Sequence, residues 1–299
     1  MAGPLFVFPG AGSQWAGMGE SLMRSSPVFA SRLRELREVT GLSATGSLDR
    51  IDVYQPALFA MAVSLVDVWR SHGFEPAAVL GHSIGEFAAA YVSGAFSLAD
   101  AARIAVSWAQ AQATLSGNGS LVSVQASEHD VTRLLAEAEL SLELAVVNGP
   151  TSVAVSGDRA DCEKFKEILK TAGIRARDVP AGYGAHSFLV DRLRARQLRE
   201  LAAIRGRSSA IPFYSSTTGG RLDTTALDAE YWCRCLREQV RFDHALSRAV
   251  SDGFSPVIEI SPHPVLVSAM RQALPDVPVL ESISRRRPDT VAATLAPAR

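Results

Sequence analysis

The chain has 299 residues, 47% of them hydrophobic, which is enough to bury the core of one large domain or two smaller ones. Thirty Lys and Arg residues balance 31 Asp and Glu residues, so the formal net charge of −1 gives no reason to expect a nucleic acid or a membrane surface as partner. Three cysteines without metal-ligand spacing favour no disulfide framework and no zinc site, and they suit a reducing cytoplasm. No apolar run approaches the roughly 20 residues of a membrane span, and no secretory leader is recognisable.

Strands and helices alternate in the first hundred residues. A buried strand predicted at 5–8 ends in the glycine turn Pro9-Gly10-Ala11-Gly12-Ser13. A helix predicted at 55–72 then leads to a buried strand at 77–80, and this strand ends in the turn Gly81-His82-Ser83-Ile84-Gly85-Glu86, after which a helix continues. This order predicts a parallel α/β sheet with functional sites at the carboxyl ends of its strands.

The middle of the chain has a different pattern. Strand, helix, strand, strand, helix and strand are predicted in turn at 121–125, 128–138, 144–147, 152–156, 159–172 and 175–179. This βαββαβ order is typical of a ferredoxin-like unit. We therefore predict a small subdomain at 120–180 inserted into a large subdomain at 1–119 and 181–285, with a C-terminal linker at 286–299.

The last part of the chain is predicted to return to the large sheet. A helix is expected at 188–204, followed by strands at 211–215 and 256–259. The linker at the end is predicted from its arginine and proline content.

The turn around Ser83 has the pattern of a nucleophile elbow. In Gly81-His82-Ser83-Ile84-Gly85 a serine stands between glycines two positions away on either side, at a strand-to-helix turn that would present its hydroxyl. The amide of Ile84 and one from the turn at 10–12 would form an oxyanion hole. The alternative is an ordinary glycine-rich turn. Glu86, at the start of the helix, is expected to order the turn and to take no part in the chemistry.

Six histidines compete for the role of general base. His82 should point away from Ser83, because successive side chains of an extended segment face opposite ways. His186, in Tyr183-Gly184-Ala185-His186-Ser187, and His263, in Ser261-Pro262-His263-Pro264, each follow a buried strand. The residues alone leave this choice open, because it depends on geometry.

Three motifs together point to a family. Phe8-Pro9-Gly10-Ala11-Gly12-Ser13-Gln14-Trp15, the turn around Ser83 and the segment around His186 occur in the order and at the spacings of the malonyl-CoA:carrier-protein transacylases. The chain closely resembles the acyltransferase domains of modular polyketide synthases over nearly its whole length. That resemblance implies an α/β-hydrolase-like large subdomain carrying a ferredoxin-like insertion.

The resemblance also implies roles for individual residues. Ser83 would be the nucleophile and His186 the base, with the imidazole oriented by a backbone carbonyl near Arg241. The oxyanion amides would be those of Ala11 and Ile84, although Ala11 stands where glutamine is usual in the family. Gln55 and Asn148 match positions near the active site and would order it.

One departure from the family concerns the substrate. Members that take malonyl or methylmalonyl groups have an arginine where this chain has Trp108, and that arginine pairs with the free carboxylate of the substrate. Starter-unit loading domains, including those of the avermectin kind, resemble this chain here. Trp108, with Tyr183, Gly184 and Ala185, is expected to shape a pocket for a short branched acyl group; the alternative is that Trp108 is core packing and another cation serves.

The implied reaction moves an acyl group from acyl-CoA through Ser83 to the phosphopantetheine thiol of an acyl carrier protein. No bound cofactor or metal is expected, since the carrier supplies the phosphopantetheine. Neighbouring synthase domains in a longer polypeptide are expected partners. The alternatives are a malonyl-type extender acyltransferase and a serine hydrolase or thioesterase, in which His263 would be the base.

Overall fold

The computed structural model of the chain describes residues 2–41 and 48–289. Two β-sheets are surrounded by helices, and each sheet packs on a hydrophobic core of its own. The predicted fold class, a large α/β-hydrolase-like subdomain with a parallel sheet and a small ferredoxin-like one, is confirmed.

Strands and helices are numbered in chain order within the described ranges. The strands are β1 Leu5–Phe8, β2 Ala78–Gly81, β3 Ser120–Val124, β4 Leu142–Gly149, β5 Ser152–Gly157, β6 Ala176–Asp178, β7 Phe213–Ser215, β8 Gly220–Leu222, β9 Val240–Arg241, β10 Val257–Glu259 and β11 Val279–Glu281. The α-helices are α1 Glu20–Ser25, α2 Pro27–Thr40, α3 Ile51–Ser71, α4 Gly85–Ser93, α5 Leu98–Ala113, α6 Glu128–Ala138, α7 Arg159–Thr171, α8 Arg194–Glu200, α9 Ala229–Arg237, α10 Phe242–Ser251 and α11 Val267–Ala273. Short 3-10 helices lie at Phe188–Leu193 and Thr224–Ala226.

The large sheet has the strand order β11-β10-β1-β2-β7-β8. Its first five strands are parallel, and β8 pairs antiparallel at the edge. The central strands β1 and β2 are buried along their whole length, as expected of apolar runs covered by helices on both faces. The turns after β1 and β2 therefore meet at one edge of the sheet, where a parallel α/β sheet places its sites.

The small sheet has the order β6-β3-β5-β4-β9. The strands β3 to β6 pair antiparallel in the arrangement of a ferredoxin-like unit, with α6 and α7 closing its core. The fifth strand, β9, lies outside the predicted range 120–180 and pairs parallel with β4. This pairing connects the small sheet to the segment between α9 and α10.

Helix α3 is long and apolar enough to cross a membrane, contrary to the expectation from the sequence that no apolar run reaches this length. It has 21 residues with a hydropathy of 1.4 in its most apolar window, but 78% of that window is buried inside the protein. Burial of this extent is typical of the core helix of a globular domain, and α3 packs against α2 and α5.

The helix predicted at 188–204 is two helices. The chain forms a 3-10 helix at Phe188–Leu193, continues as α8 and leaves the helix after Glu200. Short 3-10 segments are frequent at the start of α-helices, and apolar spacing alone does not distinguish the two. The predicted linker at 286–299 lies outside the described residues from position 290 onward, while Arg287 pairs with Glu281 at 2.6 Å.

Candidate active site

Ser83 stands at the turn between β2 and α4 in a backbone conformation that few residues adopt. Its φ is 55°, in the left-handed region. The flanking glycines allow close packing: a Cβ on Gly85 would lie 2.0 Å from the carbonyl oxygen of Phe8, and one on Gly81 would lie 2.4 Å from the Cα of Glu86. The turn is thereby pressed against β1, and the serine side chain projects above the sheet edge.

The structure brings Ser83 and His186 together. Ser83 Oγ lies 2.7 Å from His186 Nε2, and His186 Nδ1 lies 2.9 Å from the carbonyl oxygen of Glu238. Because a carbonyl only accepts, Nδ1 carries the hydrogen and Nε2 is left to accept the serine proton. A backbone carbonyl near Arg241 is expected to orient the imidazole, and the carbonyl that does so is that of Glu238, three residues earlier.

Burial sets the protonation state of this imidazole. His186 is 3% exposed, and burial lowers its pKa to about 4; the hydrogen bond to the carbonyl of Glu238 acts in the opposite direction, and His82 and Arg237 lower the pKa further. The neutral form, which a general base needs, is therefore the dominant form at neutral pH.

This gives a pH prediction. The rate at which diisopropyl fluorophosphate labels Ser83 should stay flat from about pH 8 to about pH 5 and fall as His186 is protonated near pH 4, because an imidazolium cannot take the serine proton. Intact-protein mass spectrometry at each pH measures the rate, and circular dichroism controls for unfolding. An inflection near 6.5, the ordinary histidine value, would contradict the burial argument.

The other two histidines at the site have different surroundings. His82 Nε2 lies 2.8 Å from Asn148 Oδ1, and burial lowers the pKa of His82 to about 4. His263 borders the same cavity as Ser83, yet its Nδ1 has no hydrogen-bond partner within residues 2–41 and 48–289. Geometry thus pairs Ser83 with His186, the choice that the residues alone left open.

The predicted oxyanion amides lie beside Ser83. Ala11 and Ile84 both border the cavity into which Ser83 opens. Neither backbone N–H donates to another group in the described part of the chain. A Cβ on Gly10 would lie 3.2 Å from the Cβ of Ser83, so the loop after β1 lies directly against the serine. Two unpaired donors beside a serine hydroxyl are what a tetrahedral oxyanion requires.

The cavity above Ser83 has a volume of about 510 Å³ and lies between the two sheets. Four of the six predicted pocket residues line it: Gln55, Asn148, Tyr183 and Ala185. The other two, Gly184 and Trp108, do not. Gly184 instead packs against Leu189, whose Cδ1 would lie 2.7 Å from a Cβ added to the glycine.

The structure places Trp108 in the protein interior, away from the Ser83 cavity. The residue lies on α5, is 1% exposed and borders a separate cavity of about 240 Å³ together with Val190 and Glu238. Its indole Nε1 has no hydrogen-bond partner among the described residues. This placement fits the alternative named above, that Trp108 is core packing, and does not fit the expected place in the acyl pocket.

Sequence reasoning missed a buried glutamine that is hydrogen-bonded to two residues of the cavity wall. Gln112 is fully buried on α5; its Oε1 accepts from Gln55 Nε2 at 2.6 Å and from the hydroxyl of Tyr183. Tyr54 donates its hydroxyl to the carbonyl of Ala181 at 2.9 Å. This network fixes the polar side chains of the cavity wall. One of two glutamines in an alanine-rich helix gives no sequence signal for such a role.

A second missed residue is Glu259, at the end of β10. Its carboxylate accepts from the backbone amides of Val265, Leu266 and Val267 at 2.8–2.9 Å and from Ser261 Oγ at 2.9 Å. Burial raises its pKa to about 7. Glu259 thus holds the loop that carries His263 against the mouth of the cavity.

Comparison with known proteins identifies the family. A model of the acyl transferase domain family matches residues 5–297. The chain belongs to this family. It is 44% identical over 286 residues to erythronolide synthase EryA2 of Saccharopolyspora erythraea, and 44% identical over 283 residues to polyketide synthase GfsB of Streptomyces halstedii. Each match covers 90% of this chain but only 8% and 5% of the relative, so the chain spans a small part of the synthases it matches.

Solved acyltransferase structures have the same fold. A loading acyltransferase from the avermectin modular polyketide synthase is 42% identical with a TM-score of 0.92, covering 96% of both chains. The acyltransferase domain from module 8 of the salinomycin polyketide synthase is 39% identical, also with a TM-score of 0.92, covering 97% of this chain and 73% of that one. This acyltransferase therefore resembles a loading domain and an internal-module domain equally well in overall shape.

Proposed function

We propose that the chain transfers a short, branched monocarboxylic acyl group, such as isobutyryl or 2-methylbutyryl, from coenzyme A to the phosphopantetheine thiol of an acyl carrier protein. The acyl group rests on Ser83 between the two half-reactions and becomes the starter unit of a polyketide. The observation that carries the proposal is the Ser83–His186 pair, 2.7 Å apart, opening into a cavity whose buried wall is neutral.

The first half-reaction forms an ester. His186 Nε2 takes the hydroxyl proton as Ser83 Oγ attacks the thioester carbonyl, and the amides of Ala11 and Ile84 stabilise the oxyanion. As the oxyanion collapses, the coenzyme A sulfur leaves and takes the proton from His186. The second half-reaction reverses these steps with the carrier thiol as nucleophile. These steps use no bound metal or cofactor.

The cavity wall supports a neutral acyl group. Leu121, Val146, Ala154 and Tyr183 are buried along it. Its guanidinium groups, those of Arg177 and Arg285, belong to exposed residues. A malonyl carboxylate lying against the buried wall would be desolvated without a cation, at a cost of several kcal/mol by the rule for unpaired buried ions. Apolar walls discriminate single methylenes by only about 1–3 kcal/mol, so several starter groups should be accepted.

A dicarboxylic extender acyltransferase is the second candidate. The equal TM-scores to a loading domain and to a module 8 domain favour it as much as they favour the loading function. The serine hydrolase is disfavoured, because His186 is oriented by a backbone carbonyl and Ser83 is hydrogen-bonded to His186 and not to His263 in the described residues.

A transfer assay tests the proposal. The enzyme, acylated with radiolabelled isobutyryl-CoA and freed of coenzyme A, should pass most of its label to a phosphopantetheinylated carrier protein and release little free acid. The same carrier without its phosphopantetheine arm is the control and should receive none. Label released to water at the same rate with and without the carrier would show a hydrolase.

Trp108 yields a separate prediction. Trp108→Phe should lower the free energy of unfolding by about 1–2 kcal/mol, since it removes part of a fully buried side chain. It should leave the ratio of isobutyryl to malonyl acylation rates unchanged, because the indole does not line the Ser83 cavity. Urea unfolding and competitive acylation measure the two effects. An altered ratio would mean that the indole contacts the acyl group after all.

A further inference from the structure

Helix α9 contacts the Ser83 turn at two points and His186 at a third. The hydroxyl of Tyr231 donates to Glu86 Oε2, and Cys235 Sγ lies 3.7 Å from the carbonyl oxygen of Ser83. Glu238, directly after the helix, accepts from His186 Nδ1 at 2.9 Å. Tyr231 and Cys235 are four residues apart and so share one face of the helix, and the backbone carbonyl of Glu238 follows at its C-terminal end. One rigid element thus touches both members of the reacting pair.

Glu86 is the residue of the Ser83 turn that Tyr231 contacts. It is fully buried, and its Oε1 accepts from Ser216 Oγ at 2.9 Å and from the amide and hydroxyl of Thr217 at 3.2 Å each. Within residues 2–41 and 48–289 it forms no ion pair, and burial raises its pKa. It does not line the Ser83 cavity, so it acts through its neighbours and not on the substrate.

The backbone at the reacting pair depends on such support. Ser83 and His186 both have a φ of 55°, and in the described part of the chain Glu139 is the one other residue besides glycine with a positive φ. Left-handed backbone at such residues costs free energy and persists where the surroundings over-determine it. The contacts of α9 supply surroundings that hold both residues at once.

We propose that Tyr231 is a positioning residue for the transfer reaction. Its bond to Glu86 fixes α9 against the Ser83 turn, and the carbonyl of Glu238 then holds His186 Nε2 within reach of Ser83 Oγ. The inference rests on the roles of Ser83 and His186 in the proposed function, but not on the identity of the acyl group.

Two readouts test it in Tyr231→Phe. In single-turnover acylation by isobutyryl-CoA, the maximal rate should fall tenfold to a hundredfold, since displacement of a base by less than 1 Å has effects of about this size. The half-saturating concentration should change by less than about twofold, because the cavity wall is intact. The second-order rate of labelling by diisopropyl fluorophosphate should fall by the same factor as the maximal rate.

Tyr214→Phe is the matched control. Tyr214 is also a buried tyrosine that donates to a carboxylate, that of Asp252, and it does not line the Ser83 cavity. The melting temperatures of Tyr214→Phe and Tyr231→Phe should both be lowered by roughly 2–6 °C. In Tyr214→Phe, however, the acylation and labelling rates should stay within twofold of the wild type. Equal loss of activity in both variants would overturn the proposal and indicate general destabilisation.

Two further variants keep the test decisive if Tyr231→Phe does not fold. Glu86→Asp keeps the carboxyl group but withdraws it from Tyr231, and it should lose at least tenfold in both rates. Ser215→Ala removes a hydroxyl that lies 2.7 Å from the Tyr231 hydroxyl and 3.4 Å from Glu86 Oε1, but it leaves the Tyr231–Glu86 bond in place, and it should stay within threefold. Wild-type rates in Glu86→Asp, or a tenfold loss in Ser215→Ala, would refute the positioning role.

A wild-type chain that reacts with diisopropyl fluorophosphate but not with isobutyryl-CoA would refute the proposed substrate. The labelling rates of the variants would still test the positioning role.

Discussion

Ser83→Ala is expected to lower covalent capture of an isobutyryl group from isobutyryl-CoA by about 10⁴-fold or more, because the variant has no oxygen on which the ester can form. Radiolabel retained on the denatured protein measures the effect. The wild type should retain close to one label per chain.

Ser123→Ala is the matched control for this experiment. Ser123 lies on β3 and lines the same cavity, but it is not hydrogen-bonded to a histidine in the described structure. This variant should be labelled at the wild-type rate. Label that survives Ser83→Ala, or that is lost in Ser123→Ala, would mean that another residue carries the acyl group.

His186→Asn is expected to lower the acylation rate by about 10²–10⁴-fold, the usual contribution of a general base. Asparagine is preferable to alanine here because it tolerates the left-handed backbone at this position, where φ is 55°. The variant should still bind acyl-CoA with unchanged half-saturation. Rapid-quench acylation over a range of isobutyryl-CoA concentrations separates the two quantities.

The variant His263→Asn shows which histidine is the general base. A transferase would use His186, and a serine hydrolase would use His263. The imidazole of His263 borders the cavity but is not hydrogen-bonded to Ser83 in the described structure, so the acylation rate should change by less than about threefold. If His263→Asn lost the activity and His186→Asn kept it, the assignment of the base would be wrong.

Several strands and helices can be predicted from the sequence, because short apolar runs and the glycines or capping residues beside them mark where an element begins or ends. The strand predicted at 5–8 matches Leu5–Phe8, and the helix predicted at 128–138 matches Glu128–Ala138, which begins after the capping residue Ser127. The serine turn is readable for the same reason, since its glycines are needed for close packing. Edge strands of two or three residues, such as Val240–Arg241, carry too little pattern to predict.

The remainder of the site depends on contacts between distant parts of the chain. The carbonyl that orients His186 is a backbone atom of Glu238, and a backbone acceptor leaves no side-chain signature in the sequence. Tyr231 and Glu86 are 145 positions apart, so their contact is a property of the fold. For Trp108, a large apolar residue, burial can be expected from the residue type. Its placement outside the Ser83 cavity depends on the fold and cannot be predicted from the sequence.

The reacting pair and the residues of the cavity wall differ in the effects expected from their mutation. Under the proposed function, the Ser83–His186 pair carries the ester-forming step, whereas Leu121, Val146 and Ala154 along the buried wall shape the space for the acyl group. Mutations of the first kind should change rates by orders of magnitude. Mutations of the second kind should change preferences by the 1–3 kcal/mol or so that separate similar apolar groups.

The most direct test of the account is competition between isobutyryl-CoA and malonyl-CoA at equal concentrations for one enzyme, read by mass spectrometry of the proteolytic peptide that contains Ser83. We expect the isobutyryl ester to predominate on that peptide by at least tenfold. A predominant malonyl ester, or an acyl group found on any other peptide, would contradict the account.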